Sequence, residues 1–298
     1  MLSYSPSRAT QGAALVVLTT MLWGTSFALL KGAIGEISPA VLIGVRFAIA
    51  AVALAPWLRC VNPRLLRDGA LLGAIYFAET TSALNGLETI SANRSAFIIS
   101  LNVIFVPILA ALLGRRLPPS VLVAALLALA GVGVMAWDGD GLAWGDVFTL
   151  GSALGVAVYL LVLERVAPRH GALPLAAVQI TVMALLGLVV ALPELAAQGI
   201  AIADQMGTLV YLGLVVTVAP LWTQALAQRW IPAHRAALLG TLEPVFAALV
   251  SFWLLGEQLG WRGLLGAGCI LGAMLFSQWG DSLPPSPRSD ELGQGGLG

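Results

Sequence analysis

Ten apolar stretches of about 20 residues follow one another along this chain, separated by short polar connections. A membrane-spanning helix needs about 20 apolar residues to cross a hydrocarbon core of roughly 30 Å. The pattern therefore predicts ten transmembrane helices. Their approximate ranges are 11–30, 38–58, 68–87, 93–113, 118–137, 145–164, 173–193, 205–226, 235–255 and 260–279.

The amino-acid composition excludes a water-soluble fold. Hydrophobic residues make up 59% of the 298 residues and charged residues 10%, whereas soluble domains carry about 25% charged residues. Lys+Arg and Asp+Glu both number 15, so the chain offers no basic surface for nucleic acid. The expected fold class is an all-α membrane protein. Its polar ends, 1–10 and 281–298, are expected to be disordered.

Lysine and arginine predict the orientation of the helices in the membrane. With a cytoplasmic N-terminus, 11 of these residues lie in connections or tails on the cytoplasmic side, and only Lys31, Arg94 and Arg262 lie on the other side. Positive charge favours the cytoplasmic side, so both termini are predicted to be cytoplasmic. The expected location is the inner or plasma membrane of the cell, as a multi-pass protein.

An internal repeat with an offset of 141 residues runs through the sequence. Residues that match at this offset are Ala92 and Ala233, Arg94 and Arg235, Phe105 and Phe246, and Gly131 and Gly272. The predicted copies are residues 11–137 and 144–280, with five helices each. Because five is odd, the second copy begins on the opposite side of the membrane. This arrangement is the inverted-topology repeat of many secondary transporters.

Four segments carry a family resemblance: "MLWGTSFALLKGAI", "VRFAIAAVAL", "GDVFTLGSALGVAVYLL" and "LEPVFAALVSFWLLGEQLGWRGLLGAGCILGAML". With their order and spacing, they resemble the drug/metabolite transporter superfamily, specifically its ten-helix EamA-type branch. The resemblance covers roughly residues 11–280 and implies two five-helix halves around a central cavity. It also implies transport of small polar metabolites, often amino acids and usually outward from the cell, with no ATPase and no bound cofactor.

The first half departs from the family pattern at two places. Gly114 and Arg115 stand where the family often has Gly-Glu, and Val103 stands where the second half has Pro244. The two halves are therefore not expected to work identically.

Three ionisable residues, Arg46, Glu79 and Glu243, lie well inside predicted helices. A charge at the bilayer centre costs about 2.5–3.5 kcal/mol, so such residues usually face the bundle interior and have a role. Glu243 either pairs with Arg46 to join two helices, or it binds a substrate amine or changes protonation during transport. Glu79 and Glu243 are the candidates for proton coupling. Glu257 follows a helix end near the interface and is expected to be solvated, with no special role.

Further candidates for a substrate cavity are polar and aromatic residues inside the predicted helices. Tyr76 and Ser82 share a helix face with Glu79, and Asn102 matches Glu243 at the repeat offset. Ordinary helix packing would also account for each of them. The other cavity candidates are Trp23, Tyr159, Trp222 and Gln224, and the candidate hinges are Pro220 and Pro244.

Residues for several other activities are missing from the sequence. His170 and His234 are the two histidines and lie at predicted loops, so neither a metal site nor a Ser–His pair is expected within the membrane. The phosphate-binding loop of an ATPase is also absent. An intramembrane enzyme or a channel is a weaker alternative, because the sequence shows no catalytic constellation and because inverted repeats favour alternating access.

The sequence thus predicts a secondary-active or facilitative transporter that works by alternating access. The favoured activity is export of small metabolites, with amino acids, including aromatic ones, as the favoured substrates. The main alternative is a multidrug or cationic-compound exporter. No cofactor is expected. The expected partners are a small-molecule substrate and membrane lipids, with a monomer and a homodimer both left open.

Overall fold

The computed structural model describes residues 7–114, 143–240 and 242–279, together with residues 123, 124, 126, 127, 130, 131 and 134. All regular elements in this part of the chain are helical, which confirms the all-α fold. The predicted helix 118–137 lies mostly outside the described residues, so the total of ten spans remains a prediction. Seven described segments are long and apolar enough to cross a membrane: Arg8–Ile34, Pro39–Arg59, Ala92–Leu112, Trp144–Arg169, Ala172–Leu195, Met206–Ala227 and Ala233–Leu255.

The helices follow one another with short connections. In chain order they are α1 (Arg8–Ile34), α2 (Pro39–Leu54), α3 (Pro63–Thr89), α4 (Ala92–Ile99), α5 (Asn102–Leu112), α6 (Trp144–Val166), α7 (Ala172–Leu195), α8 (Gly199–Asp204), α9 (Met206–Val210), α10 (Ala219–Ala227), α11 (Ala233–Gly240), α12 (Glu243–Leu255) and α13 (Trp261–Trp279). Two 3₁₀ segments, Ala55–Cys60 and Ala167–Arg169, follow α2 and α6, and a π-helical segment, Tyr211–Val218, joins α9 to α10. The predicted span 68–87 lies within α3, and the predicted span 260–279 begins one residue before α13 and ends with it.

A side-chain cap fixes the start of the first helix. Ser7 Oγ accepts a hydrogen bond from the Thr10 backbone N–H, which satisfies one of the unpaired N–H groups of the first turn. As a result, α1 begins at Arg8, inside the tail 1–10 for which the sequence predicts disorder. Residues 1–6 of that tail, and the predicted tail 281–298, lie outside the described residues.

Two of the apolar spans are interrupted at matching positions. α4 ends at Ile99 and α5 begins at Asn102, whereas α11 ends at Gly240 and α12 begins at Glu243. The two helix ends, Ile99 and Gly240, are 141 residues apart, and so are the two helix starts, Asn102 and Glu243. This distance is the offset of the sequence repeat. Discontinuous helices at corresponding positions of two halves are typical of inverted-repeat transporters. The extents of the two copies and their opposite orientation remain predictions.

The structure differs from the predicted continuous helix 235–255, because that helix is interrupted just before its proline. Pro244 lies in the first turn of α12, where a missing N–H is harmless because first-turn N–H groups have no partner within the helix. Pro220 lies in the first turn of α10, directly after the π-helical segment. In that segment Thr217 Oγ1 donates to the carbonyl oxygen of Leu212, five residues earlier, at 2.8 Å.

Small residues allow the helices around the interior to approach closely. A Cβ atom at Gly44 on α2 would lie only 2.9 Å from the carbonyl oxygen of Gly187 on α7. A Cβ atom at Gly155 on α6 would lie 2.6 Å from Cβ of Glu79 on α3. Since lipid gives helices no hydrophobic reason to associate, this close packing is a main source of cohesion in the bundle.

Candidate functional site

A cavity of about 70 Å³ lies among α1, α2, α3, the end of α4, α6 and the start of α12. Its wall contains charged and aromatic side chains and the hydroxyl groups of Ser26 and Thr80, and its other lining residues are apolar. The structure thus brings together six of the ten residues that the sequence singles out, and their part in binding remains a prediction. These six are Trp23, Arg46, Tyr76, Glu79, Tyr159 and Glu243.

Glu79 is held in the cavity wall by hydroxyl groups from two helices. The residue is 7% exposed. Its Oε1 accepts a hydrogen bond from Thr80 Oγ1 at 2.8 Å, and its Oε2 accepts one from Ser152 Oγ on α6 at 3.0 Å. Because both oxygens are engaged, the Glu79 carboxyl group is a fixed part of the wall.

Glu243 differs, because its carboxyl group has no hydrogen bond or ion pair with any described residue. It is the first residue of α12 and is 9% exposed. The pair with Arg46, one of the alternatives open from the sequence, is therefore not formed in this structure. α1 comes close to the helix break at Gly24, where a Cβ atom would lie 2.5 Å from Phe246 Cβ and 3.1 Å from the Glu243 carbonyl oxygen.

Arg46 is anchored along one edge of its guanidinium group. The residue is 3% exposed, its Nε donates to Thr217 Oγ1 at 2.9 Å, and its Cζ lies 5.0 Å from the centroid of the Phe47 ring. Thr217 donates its own hydrogen to the Leu212 carbonyl oxygen, so an oxygen lone pair is left for Arg46. The Nη1 atom is buried and has no partner among the described residues. Arg46 as a residue lines the cavity, and this donor is not used by the described residues.

Three aromatic rings form a row along the cavity. The centroids of Trp23 and Tyr76 are 6.3 Å apart, and those of Tyr76 and Tyr159 are 5.1 Å apart at an interplanar angle of 71°. The Tyr159 hydroxyl donates to Gln179 Oε1 at 3.2 Å. Trp23 Nε1 is buried without a partner in the described part of the chain. The row offers ring faces to a planar or cationic group and one unused donor.

The other four candidates do not line this cavity. Ser82 Oγ donates to a backbone carbonyl of α6 and so joins α3 to α6. Asn102 Nδ2 donates to the Ile99 carbonyl oxygen across the first helix break, at 2.9 Å. Gln224 is buried in α10, and Trp222 is 38% exposed on the surface of the bundle.

The hydroxyl partners of the charged groups have no sequence signal. Thr80, Ser152 and Thr217 lie inside helices, where hydroxyl groups commonly bond to their own backbone. Ser152 and Thr217 come from helices remote in sequence from the groups they contact. Only the packing of α6 on α3, and of the π-helical segment on α2, reveals them.

Glu257 corrects an expectation from the sequence. The residue is not simply solvated. Its two carboxylate oxygens accept hydrogen bonds from the backbone N–H groups of Ala92 at 3.1 Å and Asn93 at 3.2 Å. Gly256, at a left-handed φ of 65°, ends α12 and turns the chain towards α4. Glycine adopts this conformation without steric cost.

His234 lies in α11 rather than in the predicted loop, and no group of three or more His, Cys, Asp and Glu side chains converges within the described residues. His170 Nε2 instead lies 2.9 Å from Asp68 Oδ2 on α3.

The cavity therefore combines one guanidinium group, two carboxyl groups and unused donors in an apolar setting. A buried polar group without a partner costs about 1–3 kcal/mol, so Arg46, Trp23 and Glu243 suit a polar ligand. A volume of about 70 Å³ is well below the roughly 300–1,000 Å³ of ligand pockets. The bundle must widen before it can admit a metabolite.

Interrupted apolar helices beside a buried polar cavity define a helical membrane protein of the transporter class. Comparison with known families agrees, since the model of the "EamA-like transporter family" matches residues 10–137 and again residues 143–278. The chain belongs to the EamA-like transporter family.

Individual relatives give the same class. One "Uncharacterized transporter" of Archaeoglobus fulgidus is 25% identical over 272 residues, covering 89% of this chain and 96% of the relative. A second, from the same organism and with the same description, is 28% identical over 267 residues, covering 88% and 83%. A crystal structure with a TM-score of 0.62 and 18% identity covers 90% of this chain and 96% of its own, and shows likeness of fold alone.

Proposed function

We propose that this transporter carries small zwitterionic metabolites, with amino acids as the preferred class, by alternating access. The observation that carries the proposal is a guanidinium donor and a carboxyl group, both without partners among the described residues, on one aromatic-lined cavity. A zwitterion supplies a carboxylate for the first and an ammonium group for the second. Transport by alternating access needs no covalent chemistry, so the proposal includes no enzymatic reaction.

Arg46 and Glu243 have separate parts in this proposal. Arg46, held at Nε by Thr217, offers its remaining N–H groups to the substrate carboxylate in the geometry that favours arginine at such sites. Glu243 accepts from the substrate ammonium group. The row from Trp23 to Tyr76 contacts the substrate side chain, which favours aromatic amino acids.

Alternating access requires the cavity to widen and to open to each side in turn. The helix break before Glu243 and the π-helical segment before Pro220 are places where regular backbone hydrogen bonding is already interrupted. Movement at these places disturbs fewer helix bonds than movement elsewhere. We place the hinges there, with the two halves rocking around the cavity.

Proton coupling follows from the balance of charge in the cavity. With Glu79 and Glu243 ionised and Arg46 protonated, the cavity has one negative charge in excess. A zwitterion has no net charge, so its binding leaves this excess unchanged. One proton neutralises the site. We assign this proton to Glu243, because the Glu79 carboxyl is already engaged by two hydroxyl groups, and we propose export in exchange for protons.

A cationic-compound exporter is the second candidate, and the same excess of carboxyl groups favours it. Substitution of the guanidinium group separates the two candidates. Arg46→Gln should abolish transport of amino acids if the substrate is a zwitterion. The same variant should retain or improve transport of organic cations if they are the substrate.

The test is uptake of a mixed panel of amino acids, organic cations and anionic sugar phosphates into proteoliposomes, read by mass spectrometry with and without a pH gradient. Wild type, Glu243→Gln and Arg46→Gln are compared, with Trp222→Phe as the control on the bundle surface. We expect selected amino acids to accumulate in wild type and Trp222→Phe. Accumulation of sugar phosphates alone would contradict the proposed substrate class.

A further inference from the structure

The N-terminal end of α4 is tied to the second half of the chain by Glu257. Its carboxylate accepts hydrogen bonds from the Ala92 and Asn93 N–H groups, at 3.1 and 3.2 Å. These N–H groups have no partner within the helix, and the helix dipole favours negative charge at this end. Glu257 follows α12 in sequence, so the contact joins segments that are 165 and 164 residues apart.

An ion pair makes a second contact at the same end of α4. Arg94 Nη2 lies 2.6 Å from Asp146 Oδ2 on α6, with side chains 13% and 6% exposed. The same Asp146 oxygen accepts a hydrogen bond from the Ala143 N–H at 2.8 Å, so the carboxylate is fixed at the start of α6. A short, largely buried charge-assisted hydrogen bond is stronger than a pair on an open surface.

The connection that leads into α4 is fixed as well. Lys31 Nζ, at the end of α1, donates to the carbonyl oxygens of Leu87 and, at 3.0 Å, of Ile90. Leu87 lies in the last turn of α3, and Ile90 follows that helix at the start of the short connection to α4. Four charged side chains from four different parts of the chain therefore converge on one end of the bundle.

α4 leads directly from these contacts to the cavity. The helix has 8 residues, which is about 12 Å at 1.5 Å per residue. Its last residue, Ile99, lines the cavity, as does Leu87 of α3. Because the helix is short and stiff, it moves as one body, with the largest displacement at its held end. The other end of α4 meets the helix break before Asn102, where a pivot disturbs few backbone hydrogen bonds.

We propose that Glu257, Arg94 and Asp146 form a latch, the α4 latch, which closes the cavity towards this end of the bundle and releases during each transport cycle. With the latch released, α4 swings away from α6 and α12, and the cavity opens there. In the predicted orientation this end faces the outside of the cell. The α4 latch concerns access, so it does not depend on which solute is carried.

Thiol labelling in the full-length protein tests the latch without a substrate. In a variant that lacks Cys60 and Cys269, Ser26→Cys places one thiol on the cavity wall. A membrane-impermeant cationic methanethiosulfonate reagent is applied to right-side-out and to inside-out vesicles. Adding Arg94→Gln and Glu257→Gln together should raise the labelling rate at least about tenfold from the outer face, because a charge-assisted contact is lost on each side of α4.

The matched control is Glu88→Gln, an exposed carboxylate at the same end that is not part of the latch. It should leave the labelling rate unchanged. If the double variant does not elute as a single folded species on size exclusion, Glu257→Gln alone, which keeps one acceptor oxygen, should give a smaller rise from the outer face. An unchanged rate in a folded latch variant, or a rise confined to the inner face, would overturn the proposal.

Discussion

The two interrupted helices share a backbone arrangement but differ at the residue that restarts the helix. Asn102 begins α5 and Glu243 begins α12. The Asn102 amide donates back to the Ile99 carbonyl oxygen at 2.9 Å, across its own break. Glu243 as a carboxylate has no hydrogen to donate, and its side chain lines the cavity without a partner among the described residues.

Under the proposed function, this difference separates a structural break from a functional one. In the first half, the side chain stabilises the interruption and has no contact with the cavity. In the second half, the equivalent side chain is available to a ligand or a proton, at a cost in stability. The next position follows the same division, because Val103 donates its N–H to the Ser100 carbonyl oxygen at 3.2 Å, whereas Pro244 has no N–H to donate.

The largest expected effect is on transport by the second-half variant. Glu243→Gln should lower transport driven by a pH gradient about 100-fold, or about 2.7 kcal/mol, because the glutamine amide cannot take up and release a proton as the carboxyl group does. Asn102→Ala should change the rate less than about threefold, since the hydrogen bond that is lost is structural and lies away from the cavity. Initial rates in proteoliposomes, normalised to reconstituted protein, measure both. Equal losses in the two variants would abolish the distinction between the halves.

Stability should respond in the opposite order. Asn102→Ala leaves the Ile99 carbonyl oxygen without its partner and should destabilise the protein by about 1–3 kcal/mol. Glu243→Gln removes a buried carboxyl group that has no partner, so it should leave the unfolding midpoint unchanged or raise it. Thermal unfolding in detergent, followed by tryptophan fluorescence, gives both midpoints. A lower midpoint for Glu243→Gln than for Asn102→Ala would show that Glu243 is the structural residue.

A smaller effect is expected where the second half supports Arg46. Thr217→Val removes the hydroxyl group that accepts from Nε while keeping the side-chain shape, and should raise KM about tenfold, as expected for losing a hydrogen bond to a charged group. Thr217→Ser keeps the hydroxyl group and should restore the wild-type KM. Substrate concentration series for the three proteins provide the values. A change in kcat alone would assign Thr217 to the motion of the π-helical segment instead.

The smallest effect is expected at the proline of the second break. Pro244→Ala should change transport less than about twofold, because Pro244 lies in a first turn where its N–H would have no helical partner. Val103→Pro, the corresponding change in the first turn of α5, removes the N–H that donates to the Ser100 carbonyl oxygen, so it should lower the unfolding midpoint more than Pro244→Ala does. Rates and unfolding midpoints of both variants are the measurements. A large loss of transport rate in Pro244→Ala alone would show that the hinge requires Pro244 in addition to the helix break.

The membrane class and the charged part of the site could be predicted because charge is costly inside a bilayer. Arg46, Glu79 and Glu243 stand out for that reason, and all three line one cavity. Candidates chosen only for polarity or aromaticity were less informative. Gln224 and Trp222 are residue types that often line cavities, but Gln224 is buried away from this cavity and Trp222 lies on the surface of the bundle.

Contacts between distant helices could not be predicted from one sequence. Ser152 and Glu79 are 73 residues apart, and Glu257 and Ala92 are 165 apart. Nothing in the local pattern of either member marks these pairs. The exact place where each long helix breaks was equally hidden; at the first break, for example, apolar residues continue on both sides of Ser100 and Leu101.

The functional role of Glu243 is tested most directly by counting protons moved with each solute. Purified wild type, Glu243→Gln and Asn102→Ala are reconstituted with a pH-sensitive dye inside the vesicles, and the flux of a transported amino acid is recorded with the change of pH. We predict proton movement coupled to solute flux in wild type and in Asn102→Ala, and solute exchange without proton movement in Glu243→Gln. Unchanged proton coupling in Glu243→Gln would contradict the assignment of the proton to this residue.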